Sequence, residues 1–572
     1  MVFDTARPDS GARARPARRP GAGEPVRSSY DVVVVGGGHN GLTAAAYLAR
    51  AGSSVLLLER QDRLGGATIS ADAFGGMGAH LSRYSYLVSL LPRRIFDDLG
   101  LGVTLRRRRY ASYTPVPGHD VGLLVDHGDA EATRRSFERI GAGGDLAGWR
   151  ALYGATGRIA AALWPTVTEP LPRRRDVERA VARRDDTGGA REALATLLDR
   201  PLGELIEAHL AHDVTRGVAL TDGLIGTFAD ARGADLRQNV CFLYHVIGGG
   251  TGDWDVPVGG MGQVSEALER AARAAGAQLR TGCEVVGVTG DRVTWRERGG
   301  AEGDLERSVD ARHVLWAAAP VVLDRVSDSA GRAAGPTLPA DAADAAAGAQ
   351  VKVNLLLRRL PRLRESAVAP EAAFGGTFHI NETYGQLAAA HARAAAGEVP
   401  EPIPAEIYCH SLSDDSILSP DLRASGAHTL TVFALHAPHR LVADLSPTEH
   451  DRMRDRLQRS VLDSLSSVLA EPVDDVLAVD RGGRPCVETK TTLDLEQALA
   501  MPGGNIFHGP LTWPFAADDE VLDTPAARWG VASAHDGVLL AGAGSRRGGG
   551  VSGLGGYHAA RAVLEAIDPA SS

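Results

Sequence analysis

Lysine is nearly missing from this chain. Of 61 basic residues only Lys352 and Lys490 are lysines, and the rest are arginine. A coding bias toward Arg and Ala explains the pattern, and it leaves little room for Schiff-base catalysis, which needs a reactive amine. Cysteine is scarce too: Cys241, Cys283, Cys409 and Cys486 stand far apart, with no C-x-x-C pair and no zinc-ligand spacing. That argues against a dithiol–disulfide flavoenzyme and against a metal site, and it suits a reducing, cytoplasmic setting. No apolar run reaches the roughly 18 to 20 residues of a membrane span without glycine or charge. With a formal net charge of −10 there is no basic excess to hold nucleic acid. Residues 1–29, rich in Arg, Pro, Gly and Ala, have no apolar core and read as a disordered tail, without the h-region of a secretory signal. Asp4, Asp9 and Glu24 count against a transit peptide.

What is present is concentrated first in residues 30–66. Val32-Val33-Val34-Val35 reads as a short, fully buried strand. Gly36, Gly38 and Gly41 follow at G-x-G-x-x-G spacing around His39 and Asn40, then an Ala/Leu-rich helix runs to Arg50. A second strand, Val55-Leu56-Leu57-Leu58, delivers Glu59, 18 residues after Gly41. The first glycine allows a tight turn, the second a close pyrophosphate and the third close helix packing. The pyrophosphate would lie on the helix N-terminus, with the acid on ribose hydroxyls. A second glycine pair, Gly65-Gly66-Ala67, can place backbone N–H groups and Arg60 or Arg63 beside the same pyrophosphate.

The rest of the chain reads as alternating pieces of two lobes. Residues 30–110 form a first part of a nucleotide-binding lobe, 251–345 a second and 501–572 a third; 111–250 and 346–500 form an inserted α+β substrate lobe, helical from Asp129 to about Asn239. The Arg106–Arg109 run reads as a solvated face. Helices are expected over Ser265–Ala275 and 447–470, and strands over Val293–Arg298, Arg307–Asp310, His313–Pro320, Val351–Leu357, Ile407–His410 and His428–Ala434. Val285 offers a backbone pair to an adenine edge. The stretch 327–349 is low in complexity and reads as a surface loop or helix. Near the end, Gly537–Leu540 leads through Gly542, Gly544, Gly550, Val551 and Ser552 into a last helix: again strand, glycine loop, helix. A helix start there would favour an anionic reduced flavin.

Four segments, GGGHNGLTAAAYLARAG with ER..RLGG, PVGGMGQVSEAL, GGNIFHG and LLAGAGSRRGGGVSGLGGYHAARAV, resemble the phytoene desaturase-type flavoproteins of the amine-oxidase-like FAD superfamily over roughly 30–567. The His39-Asn40-Gly41 variant is similar to the branch named pyridine nucleotide-disulphide oxidoreductase-like, a name at odds with the lack of a redox cysteine pair. The resemblance implies FAD held by Gly36, Gly38, Gly41, Glu59, Arg60, Gly65, Gly66, Val285 and the Gly542–Ser552 region, with His39, Asn40 and Ala67 inside the same loops. It also implies a discontinuous Rossmann-type lobe and apolar substrates. Where the family often carries His-Pro before the triple glycine, this chain has Arg546-Arg547, which either alters charge near the flavin or faces solvent. The acid common in this last loop is replaced by Ala543.

The function expected is an FAD-dependent dehydrogenase or desaturase that passes hydride from an apolar, natural-product-like molecule to flavin N5, with oxygen or quinone as acceptor. A redox-neutral isomerase or a reductase using reduced FAD, and an FAD protein without turnover, are the alternatives. His245 and His508 flank glycine-rich segments and are the candidates for proton transfer, against the plainer reading of hydrogen-bonded structural histidines. Lipophilic substrates have to be collected from somewhere, which leaves peripheral membrane contact open.

Overall fold

The computed structural model describes residues 25–298, 304–327 and 347–568. Residues 1–24 of the expected tail and 328–346 of the low-complexity stretch lie outside them. Two seven-stranded sheets carry the architecture. The first is built on Ser29–Val35, which pairs in parallel with Val55–Leu58 on one side and with Leu305–Trp316 on the other. Gln278–Arg280 adds in parallel to Val55–Leu58, and Val538–Leu540 in parallel to Leu305–Trp316. Cys283–Val288 and Arg292–Glu297 complete it as antiparallel strands. Val32, Val33 and Val34 are fully buried, as a strand covered on both faces requires. The helices His39–Arg50, Gly262–Ala274 and Leu554–Ile567 pack over it with Leu42, Leu48, Val264, Leu268 and Val563 in one core. This is a mixed α/β fold with a Rossmann-type nucleotide-binding domain.

The strands expected at Val293–Arg298 and Arg307–Asp310 pair as a hairpin, and the second continues into the strand expected at His313–Pro320 as one element, Leu305–Trp316. Its exposed first half pairs antiparallel with Arg292–Glu297, and its buried second half crosses into the parallel sheet beside Ser29–Val35. Alternation in the first half and an apolar run in the second hid the continuity.

The second sheet runs Val487–Lys490, Val351–Leu357, His428–Ala434, Ala405–Tyr408, Thr377–Ile380, Tyr110–Pro115, Gly122–Asp126. The join of Thr377–Ile380 to Tyr110–Pro115 is parallel and ties segments distant in sequence. Helices from Ala130–Arg139 to Arg237–Ile247 pack beside it through Leu152, Ile159, Leu197, Leu205 and Phe242, all nearly solvent-free. Asp129 starts the first of them by accepting hydrogen bonds from the Glu131 and Ala132 N–H groups. No helix among the described residues is long and apolar enough to cross a membrane.

Candidate functional site

The parallel strands of the first sheet end at a cavity of about 440 Å³. At its rim the turn after Val35 is forced by Gly36, whose φ is +105°. The His39–Arg50 helix then starts with Gly38 at its N-cap and no side-chain cap, so its first N–H groups remain available to an anion. A Cβ on Gly41 would stand 2.0 Å from the Gly36 carbonyl oxygen, so only glycine lets the helix sit this close. Gly38 differs: its nearest obstacle would be Gly66 Cα at 4.0 Å, which leaves open space on the cavity side. These are the two distinct uses of glycine in a dinucleotide cradle.

Glu59 lies at the end of the second strand. Its Oε2 accepts from the Gly37 N–H at 2.7 Å and its Oε1 from the Gln61 N–H at 2.8 Å. The carboxylate is thereby fixed on the cavity wall with lone pairs left for hydroxyl donors. Asn40 donates to the Gly548 carbonyl at 3.2 Å while its buried Oδ1 has no partner. His39 Nε2 meets the Gly550 carbonyl at 3.1 Å. These two contacts join the first glycine loop to the last one. An orphaned amide oxygen, an open cradle at Gly38 and a fixed carboxylate fit a dinucleotide, and Gly36, Gly38, Glu59 and Gly66 are the residues that would hold it.

Gly36, Gly38, His39, Asn40, Glu59, Arg60, Gly66, Ala67, Val285, Gly550 and Val551 all line this cavity, with His245 and His508. Gly41, Gly65, Gly542, Gly544 and Ser552 stand behind its wall. Gly65 N–H bonds the Gly37 carbonyl at 2.9 Å, and Ser552 Oγ donates to the Gly548 carbonyl at 3.2 Å. Arg60 also ties its loop to a neighbouring helix: its Nη2 donates to the carbonyls of Gln497 and Ala498, both at 3.2 Å.

Of the two alternatives drawn for Arg546 and Arg547, solvent exposure is removed, since neither is left free in solvent. Arg546 pairs with Glu520 at 2.9 Å. Arg547 is 1% exposed and donates to the carbonyls of Thr166 and Glu169 at 3.0 and 2.8 Å. Burial brings its pKa down to about 9. It fastens the helical region to the last glycine loop. In the Arg106–Arg109 run, Arg106, Arg107 and Arg109 are exposed, as a solvated face requires, and Arg108 alone departs from that reading. Arg107 pairs with Asp253 and Asp255 and Arg109 with Asp126, while Arg108 turns inward over the Tyr408 ring at 5.7 Å.

His245 and His508 are both half-buried, and desolvation lowers each to about 4. Both are therefore neutral near pH 7. His245 Nδ1 bonds the Cys241 carbonyl one helical turn back at 3.0 Å, and its ring lies 5.1 Å from Trp254. His508 is held at φ +64° with Nδ1 unpartnered.

The residue that sequence reasoning passed over is Lys352. It sits in the Val351–Leu357 strand, 2% exposed, and its Nζ donates to the carbonyls of Ser82 and Tyr84 at 2.9 Å each. Nζ also lies 5.4 Å from the Tyr86 ring centre. Burial lowers its pKa to about 7, against a small opposing pull from Glu488. With both carbonyls satisfied, the neutral amine keeps a lone pair, and Lys352 lines the cavity. The available signal was a lysine inside an apolar run in a chain almost without lysine.

A family model for an NAD(P)-binding Rossmann-like domain matches residues 34–94. An uncharacterised protein of Mycobacterium tuberculosis is 50% identical over 94% of this chain and 97% of its own length. The chain belongs to the family of that mycobacterial protein. Pyridine nucleotide-disulfide oxidoreductase domain-containing protein 2 of Rattus norvegicus is 27% identical over 95% of both chains. Among solved structures, cyclohexylamine oxidase of Brevibacterium oxydans aligns with a TM-score of 0.52 at 18% identity, covering 95% of this chain and all of that one. That likeness shows a shared fold. The Rossmann-like match is the one that speaks of a cofactor, and it supports a nucleotide-binding domain at residues 34–94.

Proposed function

We propose that this protein is an FAD-dependent oxidoreductase of the phytoene desaturase type, a dehydrogenase that removes hydride from an apolar or natural-product-like substrate. One observation carries the reading. The dinucleotide cradle and an apolar chamber form a single cavity, in which Gly36, Gly38 and Glu59 share a surface with Leu87, Leu90, Ile225, Phe433, Ile506 and Leu511. When bound, FAD supplies the hydride acceptor that no side chain here can provide.

The protein's own contribution is position, dryness and one proton acceptor. The apolar wall takes substrate out of water and orients the bond to be oxidised. Lys352, neutral above about pH 7, can take a proton from a C–H or N–H neighbour as hydride leaves. His245 is neutral, with its Nδ1 held by the Cys241 carbonyl, which leaves Nε2 to orient a polar group on the substrate.

The experiment is anaerobic titration of the FAD-loaded protein with a panel of lipophilic compounds, followed by visible absorbance. Bleaching by one compound class is the expected result and identifies the substrate. Bands that stay oxidised with every compound, yet return after dithionite reduction when a compound is added, would replace the dehydrogenase by a reductase.

A further inference from the structure

Behind the first cavity lies a second, of about 510 Å³, whose lining belongs to the second sheet and the helical region. The two share Tyr86, Leu87, His245 and Trp254, which form a waist between them. Their chemistry differs. The second chamber displays Asp222, Glu406 and His379 on its wall, and Glu382 stands directly behind.

These acids are under-compensated. Asp222 makes no hydrogen bond or ion pair through its carboxylate among the described residues. Burial, and then the charges of Glu406 and Glu382, push its pKa up to about 8. Glu382 is 1% exposed; one oxygen bonds His379 Nδ1 at 2.6 Å, and the other, Oε1, has no partner. Glu406 is 4% exposed and bonds the Tyr408 hydroxyl. Three carboxylates thus face one inward guanidinium, Arg108, which is bonded to the Trp254 carbonyl and Thr377 Oγ1 at 3.3 and 3.1 Å instead of to any of them. Left unpaired, a buried carboxyl takes up a proton instead of carrying its charge alone, and an ammonium group bound beside it would let it ionise and accept a charge-assisted hydrogen bond.

Nδ1 of His379 and oxygens of Glu382 and Glu406 lie within 4.8 Å of one another, close enough for a metal ion. Two features favour an organic cation instead. The chamber is far larger than an ion needs, and Tyr86, Trp149, Tyr153, Trp254 and Tyr408 supply the aromatic lining against which an ammonium group rests.

We propose that this chamber binds the protonated amine of a substrate whose apolar body passes the Tyr86–Trp254 waist into the first cavity. The position of the body rests on the oxidoreductase reading above; capture of the amine does not. The substrate class is then an amphiphile with a cationic head, oxidised at a carbon remote from that head.

The test is calorimetric binding of n-octylamine, n-octanol and zinc ion to the FAD-reconstituted protein, with flavin absorbance recorded on the same samples. Octylamine is expected to bind at least tenfold tighter than octanol. Asp222→Asn and Glu406→Gln should each remove that preference while leaving flavin absorbance unchanged. Equal binding of octylamine and octanol by the unaltered protein would overturn the proposal, whether or not the variants fold. So would stoichiometric zinc binding that octylamine cannot displace. An octylamine preference in protein that takes up no flavin would uphold the amine site and sink the cofactor reading alone.

Discussion

Lys352 allows a sharp test because the chain contains a single other lysine. Its ammonium form is held in an apolar wall, and burial lowers its pKa from the ordinary 10.5 to about 7. At ~1.4 kcal/mol per tenfold change in proton affinity, the folded protein disfavours the cation by about 5 kcal/mol. The sign follows from linkage. Between pH 7 and 10.5 the unfolded chain holds a proton that the folded chain has released, so this contribution to stability falls as pH drops from 10.5 and is fully lost below 7. The assay is NMR titration of protein carrying ¹³C-labelled lysine, in which two Cε signals are expected and Lys352→Met removes one. That signal should titrate near pH 7. If the cavity reaction needs proton removal, its rate should rise through the same midpoint, and Lys352→Met should abolish the inflection while flavin binding persists. A Lys352 signal that titrates above pH 9.5 would refute the burial argument, and with it Lys352 as the proton acceptor.

Three further outcomes are expected. Glu59→Ala removes the acceptor fixed by the Gly37 and Gln61 N–H groups, and should weaken FAD binding by at least about tenfold in a fluorescence titration, at ~1.5–3 kcal/mol for a hydrogen bond to a charged group; unchanged affinity would remove Glu59 from the cofactor site. Gly41→Ala sets a methyl 2.0 Å from the Gly36 carbonyl, and the backbone shift this forces should cost about 1–3 kcal/mol, read as a lower melting temperature and reduced flavin content. His39, His245 and His508 are each lowered by burial from 6.5 to about 4. The unfolded chain takes these protons first as pH falls, so stability should decline between pH 6.5 and 4, and replacing His508 by Gln should flatten part of that decline in thermal melts across the range.

The nucleotide end of the site was readable because its parts are local. A buried strand, a glycine turn, a helix start and an acid after the second strand all lie within residues 30–59, where spacing alone encodes geometry. The substrate end was not. Tyr110–Pro115 meets Thr377–Ile380 across the sheet, and no periodicity in either segment announces the partner. That pairing turns one arginine of a four-residue basic run inward, where Arg108 packs on Tyr408, while its exposed neighbours Arg107 and Arg109 pair with Asp253 and Asp126. Lys352 and Asn354 look out of place in Val351–Leu357, a strand buried at all seven positions, until carbonyls from the Ser82–Tyr84 segment and the Glu488 carboxylate arrive from elsewhere in the chain. Polar groups whose partners come from distant segments carry the chemistry of this lobe, and a linear pattern contains the groups but not the partners.

The most direct test of the account is the visible spectrum of the purified protein after reconstitution with FAD, with the chromophore then released and identified by chromatography. One FAD per chain, lost in Glu59→Ala, is the expected result. A protein that takes up no flavin, or releases only a nicotinamide nucleotide, would contradict the central claim.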